Sequence, residues 1–230
     1  MVGIAEIDSA RHVVATLGGR FSIELGIDVD CGAEDVERWA LAATLFGNRV
    51  PAGVAMRTYG VLERAGVRTI ADAGERRREE LVALLDRGGY VRYDERTARR
   101  LLALAEALSA RYGGPLAALG EQVTDSGELE RALRALPGWG PVTIRAFLRE
   151  LRGVWPGANP PLDERTIAAA RHLELTASID SLRSVAAAAR LDVRDFEAGL
   201  VRLALAHDLA RCPGGEECPF AGSRREPLRG

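Results

Sequence analysis

The sequence predicts an all-α protein. Three observations carry that prediction. After residue 33 nearly every segment repeats its apolar residues at helical spacing. The links between these segments are short and marked by glycine, proline or a capping side chain. Only "RFSIELGIDVD", residues 20–30, alternates like a strand, and one hairpin is the most it can make.

The elements follow in order. Val36, Trp39, Ala40 and Ala43 share one helical face, and the pattern stops at Gly47-Asn48. Pro51 suits the first turn of the next helix, which carries Val54, Thr58, Val61 and Leu62 and stops at Gly66. Thr69 and Asp72 form a capping box. Leu81, Leu84 and Leu85 lead to Gly88-Gly89. Asp94 can cap a long helix with Ala98, Leu101, Leu102, Ala105 and Leu108 on one face, ending at Gly113-Gly114. Asp125 and Glu128 form a second capping box, before a helix that ends near Leu136. Another helix runs to about Leu151, followed by the loop "RGVWPGANPP". Asp163 starts a further helix, and more begin near Ser181 and Asp192. Short links between such helices favour a compact bundle.

Composition bounds the function. The chain has 230 residues, 47% of them apolar, so it can bury a real core and is not a disordered chain. The net charge of −2 gives no global signature of nucleic-acid binding, but charge is uneven along the chain. Residues 1–50 hold four Arg against eight Asp/Glu, whereas residues 131–171 hold seven Arg against three. Screening keeps exposed electrostatics local, so a basic segment can bind phosphate on an acidic protein. All 31 basic residues are arginine, which excludes a lysine Schiff base. Three cysteines, Cys31, Cys212 and Cys218, argue against a disulfide scaffold. No stretch has the ~18 uninterrupted apolar residues of a membrane span. The N-terminus lacks the order of a signal peptide. A soluble, cytoplasmic, nucleoid-associated monomer is expected.

"LPGWGPVTIRAF", residues 136–147, places two glycines and a proline directly before a helix. A helix, a tight glycine turn and a second helix make a small anion-binding device. Gly138 and Gly140 let the backbone take left-handed angles and admit a phosphate without a Cβ in the way. The following amides, of Val142 and Thr143, sit at the positive end of the helix. Pro141 has no N–H to leave unpaired and presets the first turn. Such a turn grips DNA phosphates through the backbone and ignores base sequence. An ordinary helix–helix turn is the plainer reading.

"LPGWGPVTIRAFL" resembles the helix-hairpin-helix motif of the endonuclease III-like (HhH-GPD) DNA glycosylase superfamily, at about residues 127–152. "WPGANPPLDERTI" matches that family's Gly/Pro loop and places Asp163 at the family's aspartate. "ATLFGNRVP" resembles the segment whose polar residue, here Asn48, fills the gap left by an extruded base; a helix C-cap beside Gly47 is the other reading. "AHDLARC" resembles the final helix entering the family's iron–sulfur loop. The resemblance covers roughly residues 34–218. It implies a two-lobed helical fold: a central barrel over residues 34–157, and a second lobe of residues 1–33 with 158–230 bearing a degenerate cluster loop. The flipped base would lie in the cleft between them. It further implies a monofunctional DNA glycosylase of base excision repair, acting on duplex DNA with a damaged or mismatched base. Asp163 would stabilise the sugar cation and orient water. A plain N-cap is its other reading.

The departures narrow this. Lyase members of the family carry a lysine where this chain has Val142, and adenine-excising members a glutamate where it has Ala43. The family's cluster uses four cysteines, but the loop "CPGGEECPF" offers only Cys212 and Cys218. Zinc with His207 falls short of ligands. The expectation is therefore no metal and no cofactor, with the loop held by packing. Trp139 could flank the phosphate or pack inward. Tyr90 and Tyr93 could line a base pocket or staple a helix entry. Arg145 and Arg149 could reach phosphates or stay solvated. A DNA-binding protein without catalysis and a helical interaction module are the rival readings.

Overall fold

A computed structural model describes residues 2–47 and 50–222. Among them there are helices and turns but no strand, only an isolated bridge between Arg152 and Trp155. The described chain divides into two compact units, Leu25–Pro160 and, from its two ends, Met1–Glu24 with Pro161–Gly230. Residues 25–33 thus go with the larger unit, where Ile27 and Val29 are fully buried.

The larger unit is built around α3 (Ala33–Phe46). Spacing alone gives α3 one apolar face. In fact Trp39, Ala40, Leu41, Ala42, Ala43 and Leu45 are all fully buried, so neighbours surround it. These include α4 (Ala52–Arg64) and α10 (Pro141–Glu150), while α5 (Ile70–Gly74) and α6 (Arg78–Gly88) pack on α7 (Asp94–Tyr112). The unit is completed by α8 (Ala117–Gln122) and α9 (Ser126–Arg134). The Thr69–Asp72 capping box forms. Asp125 accepts from Glu128 N at 2.8 Å. At α7 the cap position belongs to Tyr93, and Asp94 is the first helical residue.

One acid enters this core. Glu37 on α3 is buried, and its Oε1 accepts from Ala117 N at 2.6 Å. Burial raises its pKa, and the amides of Ala117 and Leu116 offset that only in part. The folded value lies above the unfolded one. Glu37 therefore contributes stability that is full below the unfolded value and is lost as pH rises through the raised one. Glu37→Gln keeps an acceptor for Ala117 without a charge to bury. Urea denaturation should find the variant more stable than the parent at neutral pH, with a flatter fall from acid pH upward. An unchanged pH profile would refute this.

In the smaller unit, α1 (Ile4–Leu17), α11 (Glu164–His172), α12 (Ile179–Ala189) and α13 (Val193–Ala206) bury Val13, Ala169, Leu182, Phe196 and Leu200. The strand-like alternation of residues 20–30 makes no hairpin. Residues 21–24 form a short helix, α2 (Phe21–Glu24), and residues 29–31 a single 3₁₀ turn. A lone hairpin has no sheet to complete it. Instead the polar groups bond to helices: Arg20 N and Nε donate to Asp195 Oδ1 at 2.9 and 3.1 Å. Arg202 lies 3.9 Å over the Phe21 ring and pairs with Glu24 at 2.5 Å.

Candidate functional site

The hairpin lies within the larger unit, as α9, a glycine turn and α10. Gly138 takes φ +81°, a left-handed angle that favours glycine. A Cβ there would also stand 3.2 Å from Arg100 Cδ. Gly140 differs from expectation: it is extended at φ −89°, ψ 177° and caps α10. Its contribution is space, since a Cβ there would meet nothing within 4 Å. Pro141 opens the helix, and Ile144 N closes the first turn on Gly140 O at 3.0 Å. The amides of Val142 and Thr143 thus precede the helical ladder. The Val142 side chain is 58% exposed.

The side chains of two predicted DNA contacts turn inward. Trp139 is only 3% exposed, and its Nε1 donates to Thr44 Oγ1 at 3.0 Å. Thr143 is buried against the end of α3, where a Cβ on Gly47 would fall 1.8 Å from its hydroxyl. Gly47 is therefore a close approach between helices as well as a stop. Both residues serve the turn by anchoring it. Trp139 meets Phe147 edge-on at 4.9 Å, and Phe147 meets Trp155 at 5.4 Å. Trp39 Nε1 donates to the Phe147 carbonyl at 3.2 Å. Two indole N–H groups thus bind the hairpin to its own unit.

Among the arginines, Arg145 is half-buried, whereas Arg149 is 5% exposed and belongs to the core. Arg149 is therefore no phosphate contact. Arg100 on α7 is a cation that the hairpin motif leaves out: its side chain lies beside Gly138. Burial, and then the like charge of Arg96, lower its pKa, and the guanidinium stays charged. Tyr90 is buried and donates to the Leu45 carbonyl, and Tyr93 caps α7 with Arg92 and Arg96 near its ring. Asn48 lies outside the described residues.

In the smaller unit, Asp163 caps α11. Its Oδ1 accepts from Thr166 N at 2.7 Å and from Thr166 Oγ1 at 3.0 Å. In the loop leading to it, Arg152 donates to Asn159 Oδ1 and to the Pro160 carbonyl, each at 2.7 Å.

The C-terminal loop holds more ligands than spacing reveals. His172, at the end of α11, joins His207, Cys212 and Cys218, with one ligand atom from each within 4.8 Å of the others. Burial and then His207 lower the His172 pKa, while burial raises that of Cys218. This set does not fit the four-cysteine cluster implied by the family resemblance, since it offers two thiols and two imidazoles.

No protein-family model matches the chain, and no curated protein sequence matches it either.

Proposed function

We propose that the chain is a monofunctional DNA glycosylase. It hydrolyses the N-glycosidic bond of a flipped damaged or mismatched base in duplex DNA and leaves an intact abasic site. The observation that carries this reading is the glycine turn at the head of α10. Gly138 is left-handed, Gly140 leaves open space, and the amides of Val142 and Thr143 begin the helix beside it. Such a turn offers donors and a positive dipole end to a phosphate. Arg100 adds charge next to it. Extruding a base costs a few kcal/mol, least at damaged or mismatched pairs.

Asp163 is the proposed carboxylate. An acid held by its own cap bonds has a defined position, and a fixed anion stabilises the cation that develops on the sugar. With no lysine in the chain, water is the nucleophile. A panel of lesion duplexes tests this: base release should appear as strand breaks only after alkali, and borohydride should trap no covalent adduct. Duplex binding without base release on any lesion would favour a DNA-binding protein over an enzyme.

The grip has its own test. Replacing Gly138 and Gly140 with Ala should weaken binding to undamaged and lesion duplexes alike, because phosphate contacts carry no sequence information. The slope of log K on log salt should become shallower by about 0.9 for each phosphate that the variant fails to engage. A folded double mutant with full affinity would remove the hairpin from the interface. A parent protein with no salt-dependent binding would favour the interaction-module reading.

A further inference from the structure

We propose that His172, His207, Cys212 and Cys218 bind one structural zinc ion. The site is independent of the DNA reading and lies wholly within the smaller unit.

The donor spacings are close to those that a tetrahedral zinc site requires. Zinc–sulfur bonds of about 2.3 Å and zinc–nitrogen bonds of about 2.0–2.1 Å imply donor–donor edges of about 3.3–3.8 Å. Cys218 Sγ and His207 Nε2 stand 3.8 Å apart, and no pair of donors exceeds 4.8 Å. Closing the widest pair on a metal takes a movement of about 1 Å, within the reach of side-chain torsions. A two-iron cluster would divide the same ligands between separate metals and need them further apart.

A second observation points the same way. His172 Nε2 is buried and has no hydrogen-bond partner among the described residues. A buried imidazole nitrogen without a partner is costly, and a metal bound through Nε2 would satisfy it. The loop is also shaped to bring the cysteines here. Gly214 has φ +81°, and a Cβ on it would stand 2.8 Å from the His172 carbonyl and 3.3 Å from its Nδ1. Only a glycine lets the Cys212–Cys218 loop lie this close to the end of α11. Beneath it, Cys218 is fully buried in the core of the unit.

Four protein ligands complete the coordination shell, so the site is closed and structural. On binding, the two thiols release their protons to solvent. Two thiolates and Zn²⁺ leave a site of no net charge, which suits burial. The ion would join the end of α11 (His172), the cap of α13 (His207) and the C-terminal loop.

The test uses the full chain purified under reducing conditions. Elemental analysis should find one zinc per chain and no iron or sulfide. After removal of the metal, cobalt(II) alone should produce the intense visible bands of a tetrahedral thiolate site, and zinc should bleach them. His172→Ala and Cys212→Ser should each lose those bands, whereas Cys31→Ser, at an exposed cysteine outside the cluster, should keep them. Zinc should raise the melting temperature of the parent. Three results would overturn the proposal: iron with sulfide and broad visible absorption, no tetrahedral cobalt spectrum in the parent, or an unchanged spectrum in His172→Ala. Should a variant fail to fold, the cobalt spectrum of the parent decides.

Discussion

Base release by Asp163→Asn should fall by a factor of about 10²–10³, because removing a preorganised charge stabiliser typically costs roughly 3–4 kcal/mol at the transition state. The substitution is a narrow one. Asparagine retains Oδ1, which accepts both Thr166 bonds, and it caps helices as well as aspartate does. The melting temperature should hardly move, so lost activity cannot be ascribed to a lost cap. DNA affinity should hold or rise, since a negative charge has been removed from the proposed DNA-binding face. Single-turnover assays on whichever lesion the parent processes separate the two effects. Release at the parent's rate would clear Asp163 of catalysis and shift suspicion to Glu164, exposed in the first turn of α11.

Phe147→Ala should cost roughly 3–5 kcal/mol of stability in the larger unit, the range for truncating a buried aromatic. Phe147 is fully buried between the edges of Trp139 and Trp155, and its carbonyl accepts from Trp39. The truncation leaves a cavity against two indoles on the helix that carries the hairpin. Urea denaturation gives the loss directly. A cost below about 1 kcal/mol would mean that the site collapses around the gap and that the aromatic contacts contribute little. Weakened DNA binding at full stability would instead mean that the stack sets the angle of the turn.

What could be read in advance follows the range of each interaction. Helix ends were legible where the cap is local: Thr69, Asp125 and Asp163 each bond an amide three residues on. The all-helical class followed from spacing alone. Residues 20–30 misled because a period of two over so short a run does not ensure a partner strand, and Arg20 found Asp195 instead. Arg149 was misplaced because charge predicts exposure only until a tertiary contact overrides it. Trp139 had two readings that only packing could separate. His172 lies 35 positions before His207 in the chain, and no motif spacing joins them; the packing of α11 on α13 does. Arg100 reaches the hairpin in the same way, from a helix that precedes it.

The indoles around Phe147 also divide the molecule optically. All three tryptophans, Trp39, Trp139 and Trp155, and all four tyrosines, Tyr59, Tyr90, Tyr93 and Tyr112, belong to the larger unit. The smaller unit, with Asp163 and the His/Cys cluster, contributes almost no near-ultraviolet signal. Intrinsic fluorescence would therefore follow one half of the chain and pass over melting of the other. A single sharp fluorescence transition is no proof of two-state unfolding here; helical circular dichroism or calorimetry must coincide with it. Unfolding of that half on removal of the proposed zinc would scarcely change the emission.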